Sequence, residues 1–226
     1  MSIPFHDVPR DLDELRARAA WLAGRSLAEL HAALAPRAEA PMRQRKGKTG
    51  QLIERALGAS AGSLDAPDFV ELGVELKTIP IDARGLPRES TFVCTLPLAE
   101  VDHAEWRTSR VRRKLAHVLF VPIIGERAGE LHSHVGTPVF WQPSAEQESI
   151  LRGDFDDLLE VIALGRIEAL TARLGRWLQV RPKAAHGRVR TRAYGPDDEP
   201  IETIPRGFYL RARFTGALLQ DPTSVP

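Results

Sequence analysis

The sequence has one cysteine, Cys94, so no disulfide can form within the chain and zinc modules built on clustered thiolates are excluded. It has no run of about 18 apolar residues, so no segment is expected to cross a bilayer as a helix. The opening stretch, Met1 to Arg18, lacks a basic flank followed by an apolar block and does not read as a secretory signal. A reducing cytoplasm is the expected compartment. No phosphate-cradling GxxxxGK[ST] is present, so the chain is not itself an ATPase, and no serine-histidine-acid order stands out for acyl transfer. Internal repeats and low-complexity tracts are also missing. Nor is there a charge excess: 31 Lys and Arg against 30 Asp and Glu leave a formal +1, which predicts no partner.

What is present is an ordinary globular composition, 43% hydrophobic and 27% charged, at a length of 226 residues that suits one large domain or two small lobes. The charge is sorted along the chain. Arg107, Arg110, Arg112, Arg113 and Lys114 form one acid-free run, and Arg181, Lys183, Arg188, Arg190 and Arg192 form another. Arg43, Arg45, Lys46 and Lys48 make a third group, while acids gather around Asp11, Asp154 and Asp197. A near-neutral molecule can bind a polyanion through one basic face. Any single run is equally a solvated surface; three together point towards nucleic acid.

The hydrophobic periods predict helices over Asp11–Gly24, over Ser26–Leu34 with a Ser26–Glu29 capping box, and over Thr49–Leu57. Pro36–Pro41 reads as a linker and Gly58–Pro67 as a tight small-residue loop. Strands are expected at Val74–Ile79, Thr91–Leu96, Val118–Ile124 and Val135–Trp141. A long amphipathic helix over Asp154–Gly165 should continue helically through Ile167–Leu174, followed by a short strand at Trp177–Val180. Pro182–Pro200 reads as an unusually long loop, Phe208–Phe214 as a final strand and Thr215–Leu219 as a short helix. Interleaved helices and strands make the class α/β with a mixed sheet.

Alternation along Val74-Glu75-Leu76-Lys77-Thr78 puts Glu75 and Lys77 on one face of a strand. With Asp68 delivered by the preceding loop, these groups can build a phosphodiester-hydrolysing centre. Two carboxylates hold Mg²⁺ through hard oxygens, the ion polarises the phosphate, and the ammonium orients water and offsets charge on the phosphorus. Five lysines and 30 acids give about 0.7 acid-x-Lys triplets by chance, so the one present carries no weight alone. A Glu–Lys pair on a solvent-facing strand edge explains it as well. Glu54, in the preceding basic helix, can supply a third carboxylate or simply pair with Arg55 or Lys48.

The neighbouring motifs add the weight. LGASAGS (Leu57–Ser63), DF (Asp68-Phe69), ELGVELKTIP (Glu71–Pro80), TFVC (Thr91–Cys94), TSRVRRKL (Thr108–Leu115), RPKAA (Arg181–Ala185) and PRGFYL (Pro205–Leu210) together resemble the DNA mismatch repair endonuclease MutH family. The matches keep one order from about residue 43 to residue 219, and the similarity extends to restriction enzymes that cut the same four-base site. The resemblance implies a restriction-endonuclease-like core with a mixed β-sheet flanked by helices, in two lobes that form a DNA-binding cleft. It implies one endonuclease domain over 1–226, with most catalytic residues in an N-terminal lobe of about 1–105 and recognition elements in a C-terminal lobe of about 106–226. The activity implied is Mg²⁺-dependent nicking of the unmethylated strand at hemimethylated GATC, 5′ to the G. Its setting is mismatch repair in the bacterial cytoplasm, by a protein monomeric in solution and stimulated by the ATPase MutL, with MutS acting through MutL.

Position by position, the resemblance makes Asp68 and Glu75 metal ligands, Lys77 the catalytic lysine, Glu54 an additional acid and Lys114 a supporting lysine. It makes Lys46 a DNA contact, sends Arg181 and Lys183 into the major groove, and ties Phe92 and Tyr209 to recognition and methylation sensing. Arginine can read guanine O6 and N7 with two parallel bonds, and Pro182 stiffens the chain beside Arg181; a phosphate contact is the alternative for Arg181. Core packing is the alternative for Tyr209. Lys48-Thr49-Gly50 departs from the family's usual aromatic-aliphatic pair, and His186–Glu202 matches poorly. His132-Ser133-His134 has metal-like spacing without a carboxylate partner and reads as a polar loop, and Cys94 as a small buried hydrophobe. The rival functions are a restriction-like enzyme cutting both strands at GATC and a non-catalytic DNA-binding repair module.

Overall fold

Asp11 accepts the Glu14 N–H through its side chain and starts α1, Leu12–Leu22, whose period turns Leu15, Ala19 and Leu22 inward. Ser26 and Glu29 exchange bonds as a capping box, Glu29 N–H to Ser26 Oγ at 3.1 Å and Ser26 N–H to Glu29 Oε2 at 2.7 Å, at the head of α2, Leu27–Leu34. A third helix, α3, covers Lys48–Leu57. The computed structural model describes residues 4, 5, 7–34, 48–62, 65–125, 131–171, 173–184 and 186–223. The expected Pro36–Pro41 linker, and Arg43, Arg45 and Lys46, lie outside the described residues.

The chain forms two compact units that interleave along the sequence. The first takes the described residues up to Arg88, then Ala116–Gln142, then those from Gly216 onward. Its sheet is mixed. Strand β1, Glu75–Ile81, runs parallel to β3, Val118–Ile124, in a register from Glu75↔Val118 to Ile81↔Ile124. On the other side of β3 stand two short antiparallel strands, β4, His134–Val135, and β5, Val139–Trp141. The single strand expected at Val135–Trp141 is thus divided: Gly136 donates its N–H to Pro122 O at 2.8 Å, and Pro138 has no N–H to contribute. Central β3 is apolar throughout because both its faces are covered. Helix α3 packs on β1, with α1 and α2 against α3, and Leu15, Leu22, Leu30, Ile53, Leu57, Phe69, Val74 and Leu119 fill the core between them.

The second unit comprises Glu89–Leu115 and Pro143–Thr215. Its main sheet is antiparallel, β2 (Thr91–Leu96), β9 (Arg206–Leu210) and β6 (Leu178–Pro182) in that spatial order. Helices α4, Arg110–Leu115, and α5, Ala145–Ala163, belong to the same unit. Phe208 turns inward and stacks on Phe155 of α5 with centroids 5.6 Å apart, and Trp106 meets Phe155 edge-on at 5.5 Å.

Several expectations for this unit are corrected. Helix α5 begins at Ala145 rather than Asp154, because Ser144 and Gln147 form a capping box upstream of the apolar period. After Gly165, at φ 67, the helix does not continue; only a 3-10 turn at Ile167–Ala169 follows. The long loop expected at Pro182–Pro200 contains a strand, β7 (Thr191–Tyr194), that forms a hairpin with β8 (Pro200–Thr203). The final strand ends at Leu210, since Arg211 O accepts the N–H groups of Phe214 and Thr215 and turns the chain into α6, Ala212–Gln220. Among the described residues, no helix is long and apolar enough to cross a membrane.

Candidate functional site

In the first unit, the chain from Asp68 to Lys77 folds back on itself. Phe69 and Val74 exchange backbone bonds around a 3-10 turn at Val70–Leu72, closed by Gly73 in the left-handed region at φ 63. This returns Asp68 to the outer edge of β1, where its Oδ2 accepts the Leu76 N–H at 2.7 Å. A side-chain carboxylate thereby occupies the place a neighbouring strand would take. One residue earlier, Glu75 donates its backbone N–H to His117 O at 2.9 Å and turns its side chain to the face it shares with Lys77. Lys77 Nζ donates to Glu75 Oε1 at 2.6 Å, with the two side chains only 14% and 4% exposed. The structure therefore sets Glu75 and Lys77 side by side on β1, with the Asp68 carboxylate at the backbone of Leu76 between them.

Glu54 on half-buried ground of α3 directs its Oε1 towards Gly50, which also faces the Thr78 hydroxyl of β1. The third carboxylate is thus on the helix packed against the strand that carries the pair. His117 is buried, and its imidazole is held below its ordinary pKa by burial and then by the charge of Arg16. Lys114 lies half-buried on α4 of the second unit. Lys46 lies outside the described residues.

Two hard carboxylate donors suit Mg²⁺, which needs few protein ligands because it keeps several waters. Among the described residues, no three or more His, Cys, Asp or Glu side chains gather as a metal site. His132 and His134 accordingly belong to no such group, and His134 pairs at the end of the sheet with Ile124.

A second cluster stands on one face of the β2–β9–β6 sheet. Phe92 pairs with Tyr209, their rings meeting edge-on at 5.3 Å. The Arg181 guanidinium lies 5.9 Å from the Tyr209 centroid, and Lys183 Nζ lies 4.4 Å from that of Phe92. Arg181 and Lys183 are exposed, whereas the rings are half-buried. Burial raises the Tyr209 phenol above its ordinary pKa, against the opposing charge of Arg181. Gly207 is needed here: a Cβ would stand 2.8 Å from Phe92 Cε2 and 2.9 Å from Cys94 O. Four of the expected DNA-contacting residues, Phe92, Arg181, Lys183 and Tyr209, thus share one cationic and aromatic patch suited to phosphates and base edges.

Two supporting residues had no local signal in the sequence. Asp154 of α5 is buried, and its carboxylate accepts the N–H groups of Arg176, Trp177 and Leu178 at 2.5, 2.6 and 2.8 Å, which fixes the entry into β6. Gln179 of β6 is likewise buried and donates to Ser90 Oγ. Part of the Arg107–Lys114 run is already engaged, since Arg112 pairs with Glu148 at 2.6 Å.

Comparison with known proteins adds an independent line. Residues 57–154, which span Asp68, Glu75, Lys77 and Phe92, match the family described as DNA mismatch repair enzyme MutH. The chain is 48% identical over 217 residues to the DNA mismatch repair protein MutH of Serratia proteamaculans, covering 96% of this chain and 95% of that protein. It is 48% identical over 213 residues to the protein of the same name from Vibrio cholerae, covering 94% and 96%. Against that of Pectobacterium atrosepticum it is 50% identical over 213 residues, covering 93% and 92%.

Proposed function

The chain belongs to the MutH family of DNA mismatch repair enzymes, and from that premise we propose that it is a Mg²⁺-dependent endonuclease that nicks the unmethylated strand at hemimethylated GATC. The mixed sheet flanked by helices accords with the restriction-endonuclease-like core of that family. The observation that carries the proposal is the convergence of Asp68, Glu75 and Lys77 on β1.

Asp68 and Glu75 would hold the ion, which when bound supplies Lewis-acid polarisation of the scissile phosphate. Lys77 serves the same reaction from the protein side. Its ammonium, held by Glu75, offers further N–H donors to orient the attacking water and to offset charge that develops on the phosphoryl oxygens. Glu54, on the helix packed against β1, would supply the additional acid of the family pattern. Lys114 is assigned the supporting role the family pattern gives it.

Sequence readout belongs to the second patch. Arg181 presents a planar fork that matches guanine O6 and N7, Lys183 and Lys46 contact the duplex, and the Phe92 and Tyr209 rings border the adenine whose N6 carries or lacks the methyl. The expected partners are duplex DNA and the ATPase MutL, with MutS acting through MutL, in the bacterial cytoplasm.

The test uses hemimethylated and doubly methylated GATC duplexes, with each strand labelled, in Mg²⁺ or in chelator. The expected result is a break in the unmethylated strand of the hemimethylated duplex, dependent on Mg²⁺. Simultaneous breaks in both strands of an unmethylated duplex would instead support the restriction-like reading. Tight binding without any Mg²⁺-dependent break would support a non-catalytic module.

A further inference from the structure

Side chains in register on adjacent antiparallel strands stand about 5 Å apart on the same face. Tyr209, on the middle strand β9, therefore has two such neighbours, Phe92 on β2 and Gln179 on β6. The first is aromatic and belongs to the recognition patch. The second is polar, yet only 4% exposed, as deeply buried as the flanking Val180. Burying a carboxamide is costly unless its hydrogen bonds are made, and Gln179 Nε2 donates to Ser90 Oγ at 2.7 Å.

The path of that bond is informative. Ser90 immediately precedes Thr91, the partner of Leu210, at the head of β2, while Gln179 lies two strands away on β6. The bond consequently crosses β9 on the face from which Tyr209 projects. The ring of Tyr209 has Phe92 at 5.3 Å and the Arg181 guanidinium at 5.9 Å, and in register with it on the remaining strand stands Gln179, tied to Ser90. Selection against one added methyl group works only where the wall that meets it does not yield. A ring with a free side would swing aside.

We propose that Gln179 and Ser90 form a positioning pair that holds the Tyr209 ring, and so sets how strictly the enzyme rejects a methylated adenine on the strand to be cut. This rests on the function proposed above. Gln179 touches no reacting atom; it acts through Tyr209.

The experiment measures nicking of hemimethylated and doubly methylated GATC duplexes by the full chain as wild type, Gln179→Leu, Ser90→Ala, the double variant and Ser90→Thr. The ratio of the two rates should fall about fivefold in each of the first two variants, the factor expected for one net hydrogen bond. The double variant should show no further loss, and Ser90→Thr, which keeps the hydroxyl, should keep the wild-type ratio. A general loss of folding moves both rates together and leaves the ratio in place. Should Gln179→Leu fail to fold, Ser90→Ala decides alone. An unchanged ratio in Ser90→Ala, with a wild type that discriminates, overturns the positioning pair while leaving the proposed function standing. A wild type that cuts both duplexes equally overturns the methylation-sensing function and the pair with it.

Discussion

Lys77 and Glu75, two residues apart on β1, are ion-paired at 2.6 Å where their side chains are almost fully withdrawn from solvent. Such a pair holds a cation at a fixed point beside a carboxylate, but leaves a buried charge behind if one partner is removed. Lys77 is thus the counter-charge of Glu75 in the structure, besides the chemical role proposed for it.

Lys77→Ala should lower the nicking rate by about a hundredfold to a thousandfold, the loss typical of removing one preorganised donor, while leaving duplex binding nearly intact. Single-turnover cleavage and gel-shift binding on the same duplex separate the two. A wild-type cleavage rate in this variant would remove Lys77 from the chemistry.

Arg181→Ala should weaken binding to GATC duplexes relative to scrambled ones by about 1–3 kcal/mol. Titration of both duplexes at one salt concentration checks this. Equal weakening on every sequence, with a shallower salt dependence, would identify Arg181 as a phosphate contact.

Asp154→Ala removes the acceptor for three backbone N–H groups at the entry to β6. A loss of about 3–5 kcal/mol is expected, as for breaking other buried charged bonds, read as a shift in the urea midpoint without a change in slope.

Acid should weaken one contact on α1 in a defined window. The Glu14 carboxyl is held down to about 2 by the Arg10 N–H and then by the guanidinium groups of Arg18 and Arg10. Its folded pKa lies below the unfolded value, so this contribution is complete above about pH 4.5 and disappears as pH falls towards 2. Wild type should therefore exceed Glu14→Gln in stability near neutrality, with the gap closing across that window in urea titrations at several pH values.

The elements that could be read from sequence were those with a local pattern. Strands β2 and β3 fall at Thr91–Leu96 and Val118–Ile124 as expected, because each is a short β-branched or apolar run with clear ends. Strand alternation pairs Glu75 with Lys77 and one tight return brings Asp68 to the same strand, but the triplet is a chance-level pattern and only the neighbouring motifs single it out in the sequence. Hairpin β7–β8 was not legible, since its strands are four residues long and carry Arg192 opposite Glu202 outward, which reads as a charged loop. Nor were Asp154 and Gln179 legible. Their partners are 22 to 24 and 89 residues away in the chain, and no period or motif encodes contacts of that separation.

Strand β2 also contains an irregularity between Phe92 and Cys94, where Val93 has no partner of its own on β9. Val93 and Cys94 consequently both point inward, at 3% exposure each, and Phe92 emerges on the opposite side. Such a kink sharpens the local coil of a ribbon. Deleting Val93 would restore regular pleating and keep Phe92 opposite Tyr209, but on a straighter ribbon. The supernumerary residue thus governs the angle at which the benzyl group is presented rather than the side on which it sits, so this strand's length is as much a part of its specificity as its composition.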